Sequence, residues 1–81
     1  MYAIELAPDF AKQVMEMHPK RYKQIHLRIF ALQINPRPPD CVLLDSDTYL
    51  VRVGPYTITY SVDDSRGRVR VFLLEERMGE D

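Results

Sequence analysis

The chain has 81 residues, 46% of them apolar and 28% charged, with a net charge of −1 and a pI near 6.1. These values exclude a disordered or fibrous chain and argue against a protein that binds polyanions over its whole surface. No apolar run approaches the roughly 20 residues a membrane span needs, and no secretory leader pattern opens the sequence, so a cytoplasmic domain is expected.

The charge is unevenly placed. From Lys12 to Arg37, six basic residues (Lys12, Lys20, Arg21, Lys23, Arg28 and Arg37) face one acid, Glu16, while acids gather at 40–47, at 63–64 and at 75–81. A basic middle permits local phosphate contact despite the balanced total. Cys41 is the single cysteine, so no internal disulfide and no CxxC metal site is expected. It reads as a small apolar filler at a strand start. No cofactor and no metal are expected.

Residues 2–6 (YAIEL) alternate and predict a first strand. Pro8 opens a helix, where its missing N–H costs nothing, and Phe10, Val14 and Met17 recur on one face. That helix should end by His18, because the residue before Pro19 is pushed away from helical angles. A second helix runs from Pro19 to about Gln33, with Tyr22, Ile25, Ile29 and Leu32 as its apolar stripe. His18 falls between the helices, and His26 is expected half-buried at the stripe's edge. Residues 35–40 (NPRPPD) can only be a loop, and residues 42–44 are a brief strand or an extended lead-in.

The last third, YLVRVGPYTITYSVDDSRGRVRVFLLEER, reads as three strands joined by turns at Gly54–Pro55 and at residues 63–67, where Gly67 supplies a positive φ. Period-two alternation puts Val51, then Tyr56, Ile58, Tyr60 and Val62, then Val69, Val71 and Leu73 toward a core. Leu50 and Arg52, Thr57 and Thr59, and Arg70, Phe72 and Leu74 then share an open face. The chain is expected to be one domain, residues 1–81. Its class is α+β, a two-layer sandwich in the order β-α-α-β-β-β(-β) with a helical hairpin packed on an antiparallel sheet.

Four segments carry a resemblance: YAIELAPDF, ALQINPRPP, YLVRVGPYTITYSVDD and VRVFLLEER. In this order and spacing the chain resembles the RelE/ParE superfamily of small toxins from bacterial and archaeal toxin–antitoxin modules, over nearly its whole length. The resemblance implies a toxin that cleaves mRNA on the ribosome without a metal, basic side chains on a concave sheet face holding and neutralising the phosphate. It implies catalytic positions at Arg52 and Arg77, and it puts Thr57 where the family has an arginine after Tyr56. Arg70, with Lys20, Arg21 and Lys23 on the second helix, is expected to contact RNA. A cognate antitoxin is the implied partner, with Leu50, Phe72 and Leu74 as its expected contact. Ribosome and mRNA are partners if the nuclease is active.

The chain also departs from the family. Thr48 and Leu50 stand where strong nucleases of this type carry lysines, and residues 78–81 (MGED) lack the family's C-terminal tyrosine or histidine. Fewer cations predict weaker transition-state stabilisation and a slower nuclease. The alternative is a ParE-like or catalytically degenerate toxin that acts on gyrase or on its antitoxin by binding alone.

Overall fold

The computed structural model describes residues 1–77; the expectation about the C-terminal tyrosine or histidine falls on residues 78–81, outside them. In chain order the elements are β1 (Ala3–Leu6), α1 (Pro8–Met15), α2 (Pro19–Ile34), β2 (Val42–Leu43), β3 (Thr48–Val53), β4 (Tyr56–Asp63) and β5 (Arg68–Glu76). Two helices cover one face of a five-stranded sheet of order β1-β5-β4-β3-β2. Both helices begin at the expected prolines. The His18 side chain caps α2, its Nδ1 accepting the Lys20 N–H at 3.2 Å, so this histidine is spent on a helix end. No described helix is long and apolar enough to cross a membrane.

The sheet is mixed, which corrects the all-antiparallel expectation. β1 lies parallel to β5, with Ala3 N–H donating to Gly67 and Ala7 N–H to Val71, both at 2.8 Å. Alternation in residues 2–6 identifies a strand and its faces, but it carries no information about the direction of the neighbour. The other pairings are antiparallel, and Gly54 and Gly67 turn their hairpins with φ of 58° and 61°.

The core joins Phe10 and Val14 of α1 with Ile25, Ile29 and Leu32 of α2, over Val51, Tyr56, Ile58, Tyr60, Val62, Val69 and Val71. All of these were expected inside. Tyr22, from the same predicted stripe, remains more than a third exposed. His26 is exposed, not half-buried: it stands between Tyr22 and Phe30, with ring centroids 5.6 and 4.5 Å away. Cys41 packs against the core as a partly buried apolar group.

The second correction concerns β5. Tyr60 pairs with Val71 but Thr59 pairs with Leu73, so Phe72 is an extra residue, a bulge. Beyond it the faces exchange. Leu74 is buried among the core residues at 7% exposure, whereas Leu73 is 40% exposed on the open face. The Leu74 carbonyl also accepts a hydrogen bond from Gln13 of α1 at 3.1 Å. Leu74 is therefore a core residue and not part of an antitoxin contact on the open face.

Arg37 fixes the proline loop to the sheet. Its guanidinium donates to both Asp64 oxygens at 3.2 and 2.8 Å and to the Tyr49 hydroxyl at 2.8 Å, while Tyr2 donates to Asp64 at 2.6 Å. Pro36 is buried beneath, its carbonyl accepting from Tyr60 at 2.7 Å; burial pushes the Tyr60 hydroxyl well above the usual phenol range, keeping it a donor. The Arg37 guanidinium, then the Tyr2 hydroxyl, hold the Asp64 carboxyl below the ordinary carboxylate value. A depressed carboxyl stabilises the fold above its unfolded pKa of about 3.9, and that contribution is lost as the pH falls through the lower folded value. Asp64→Asn should therefore lower the urea midpoint at pH 7, and the gap from the wild type should shrink as the pH falls below 4. A gap constant from pH 7 to pH 3 would remove the ion pair from this account.

Candidate functional site

The sheet face away from the helices is built from rows of residues paired across β3, β4 and β5. Thr48, Ser61 and Arg70 form one row, Leu50, Thr59 and Leu73 another, and Arg52, Thr57 and Glu75 a third. The β4 members Thr57, Thr59 and Ser61 are flanked along the strand by the buried core residues Tyr56, Ile58, Tyr60 and Val62, so the rows point to the face away from the helices. Residues two apart on a strand are about 6.7 Å apart and adjacent strands about 4.8 Å. The Arg52 row is thus about 10 Å wide between its outer Cα atoms.

Arg77 follows β5 at the same end. Its N–H donates to Pro55 in the β3–β4 turn at 2.8 Å, which fixes it beside that turn, two residues beyond Glu75. Arg52 and Arg77 are exposed, and neither makes an ion pair or a side-chain hydrogen bond among the described residues. Thr57, half-buried, lies directly opposite both Arg52 and Glu75. The fold therefore gathers Arg52, Thr57 and Arg77, the expected catalytic set, at one rim of the sheet.

The expected RNA contacts are not gathered there. Arg70 lies on the same face, but its partner Ser61 is four residues from Thr57, about 13 Å along the strand. Lys20, Arg21 and Lys23 sit on α2, in the layer covering the other face. Of these, Arg21 alone reaches the rim, from behind. It donates to the Tyr56 hydroxyl at 3.0 Å and lies 3.6 Å from Glu76, and that hydrogen bond helps hold its guanidinium charged. Lys20 and Lys23 are exposed on the helix and touch nothing on the open face.

Between the Arg70 row and the Arg52 row the face is apolar. Leu50 and Phe72 are half-buried and pack outside the core cluster, Leu73 is exposed, and Thr59 is buried at 6% between Leu50 and Leu73. Of the expected antitoxin contacts, Leu50 and Phe72 are thus on this face, joined by Leu73 in place of Leu74. Sequence reasoning also missed Glu75, the one acid in the Arg52 row. The signal was degenerate: Leu73–Leu74 and Glu75–Glu76 look the same in either phase of the alternation. No group of three or more potential metal ligands occurs among the described residues.

No protein-family model matches the sequence, and no curated protein matches it. Solved structures do match. The isolated RelE toxin of E. coli superimposes with a TM-score of 0.88 at 17% identity, over the whole of this chain and 89% of that one. This chain has the RelE fold. A chain of the archaeal RelE–RelB complex from Pyrococcus horikoshii matches at 0.83 and 19% identity, over 98% of both chains. A chain of the RelBE2 toxin–antitoxin complex of Mycobacterium tuberculosis matches at 0.80 and 19%, over 94% of this chain and 98% of that one. In this RelE fold the rim holding Arg52, Thr57 and Arg77 lies at the end of the sheet where the Gly54–Pro55 turn joins β3 to β4.

Proposed function

We propose that this protein is the toxin of a type II toxin–antitoxin module and that it inhibits translation by cleaving mRNA on the ribosome. The single observation that carries the reading is the rim. Arg52 stands directly opposite Thr57, and Arg77 stands beside the adjoining turn at Pro55, both without a side-chain partner among the described residues. Two cations and a hydroxyl suit a phosphodiester whose negative charge grows as a ribose 2′-oxygen attacks it. The likeness in fold to RelE toxins supports the same reading. Arg70, and Arg21 from behind the rim, would hold flanking phosphates; Lys20 and Lys23 would meet RNA only on the helix side. The reaction uses no metal and takes place in the cytoplasm.

The test is a cell-free translation reaction with primer extension on the mRNA. Cuts that appear only when ribosomes are present support the proposal. Intact mRNA with normal protein synthesis would sink it and leave the binding-only reading, in which this face engages gyrase or an antitoxin without chemistry. The apolar row at the middle of the face is the observation favouring that second reading.

The partner under either reading is a cognate antitoxin, as in the RelE–RelB complexes whose fold this chain shares. Leu50, Phe72 and Leu73 form the apolar strip such a segment would cover, and covering it would shield the rim beside it. Leu50→Glu is expected to weaken antitoxin binding at least tenfold by calorimetry while the far-ultraviolet circular dichroism stays unchanged. Unaltered affinity would move the contact off this face.

A further inference from the structure

An RNA-cleaving site needs a group that takes the proton from the 2′-hydroxyl, and the expected catalytic set contains none. Arginine stays protonated at any working pH, so Arg52 and Arg77 cannot accept that proton. The Thr57 hydroxyl is too weak a base at neutral pH. The bulge at Phe72 changes this inventory, because it turns Glu75 onto the open face instead of Glu76. Glu75 is paired directly with Thr57, which is paired with Arg52, and Arg77 follows two residues along the same strand. Directly opposed side chains on such a pair have Cβ atoms about 5 Å apart. Glu75 is exposed and has no hydrogen bond or ion pair among the described residues, whereas Glu76 points back toward Arg21 at 3.6 Å.

We infer that Glu75 is the general base of this site, acting on the ribose 2′-hydroxyl of the bound RNA. The inference rests on the nuclease reading above and adds the residue that reading lacks. The Glu75 carboxylate removes the 2′-proton as O2′ forms its bond to phosphorus. The bond from phosphorus to O5′ breaks, and the departing O5′ takes a proton from water. The hydroxide so formed recovers the proton from Glu75. The products are a 2′,3′-cyclic phosphate and a 5′-hydroxyl end. Among the described residues, the charged groups nearest Glu75 along these pairings are Arg52 from β3 and Arg77 on its own strand; β4 contributes the neutral Thr57. Both guanidiniums stabilise the phosphorane that forms beside the carboxylate.

The opposite expectation is simple: a carboxylate beside a phosphate site repels RNA, and removing it should help. Single-turnover cleavage of ribosome-bound mRNA by wild type, Glu75→Gln and Glu75→Asp separates the two. If Glu75 is the base, Glu75→Gln cleaves about 100-fold more slowly, within the range usual for loss of a general base. It would keep its affinity for the programmed ribosome, and the acid limb of the pH–rate profile would vanish. Glu75→Asp would restore part of the rate together with that limb. Wild-type cleavage with Glu75→Gln equally fast or faster overturns the inference and leaves the nuclease reading standing. A wild type that leaves ribosome-bound mRNA intact overturns both.

Discussion

Arg52→Ala/Arg77→Ala is expected to lower ribosome-dependent mRNA cleavage by about 10³- to 10⁴-fold, with each single substitution costing about 10²-fold. By the resemblance to the RelE/ParE pattern, Thr57 is expected to replace an arginine, and Thr48 and Leu50 to replace lysines. The remaining cations therefore carry a larger share of the charge that develops on the phosphate. A factor of ten in rate is about 1.4 kcal/mol, so the double substitution removes about 4–6 kcal/mol of transition-state stabilisation. The loss should not exceed the product of the singles, because either guanidinium can lean toward the same oxygens. Both residues are exposed at strand ends, so thermal stability should be unchanged within about 0.5 kcal/mol. Arg52→Lys should recover part of the rate, since it keeps the charge and loses the planar fork. Primer extension measures all of these variants in one series. If the double variant cuts at the wild-type rate, the rim is not the catalytic site.

How legible this was in the chain depends on what each signal encodes. Prolines 8 and 19 placed both helix starts, because proline's fixed φ and missing N–H are tolerated there and nowhere deeper. The core positions of β3, β4 and the first half of β5 followed from alternation, because side-chain direction is a local property of a strand. Three things were not legible. The parallel pairing of β1 with β5 depends on where the chain returns after more than sixty residues. The clamp from Arg37 to Asp64, Tyr2 and Tyr49 joins residues from four separate segments, so the loop read only as proline-rich. The bulge at Phe72 was hidden by the doubled Leu–Leu and Glu–Glu that follow it. For the site the consequence was specific. Arg52, Thr57 and Arg77 are candidates through the resemblance, while the proposal for Glu75 required the bulge to be seen.

The bulge also makes a stability prediction that the bare sequence pattern reverses. Uninterrupted alternation from Val69 and Val71 would bury Leu73 and expose Leu74. With Phe72 inserted, Leu74 fills the core beneath α1 and Leu73 faces outward beside Thr59. Truncating a buried leucine removes its transfer free energy and leaves a cavity, so Leu74→Ala should cost about 2–4 kcal/mol. In a domain of this size that corresponds to a fall in Tm on the order of 10–20 °C. Leu73→Ala removes a side chain that is already 40% exposed and should cost well under half as much. The two substitutions delete the same atoms from adjacent residues, so helix or strand propensity cannot account for a difference between them. Thermal unfolding of both variants, followed by circular dichroism, reads the phase of β5 directly. A larger loss for Leu73→Ala than for Leu74→Ala would mean that the strand runs without a bulge. Glu75 would then face the helices, Glu76 would take its place on the open face, and the general-base assignment would fall with it.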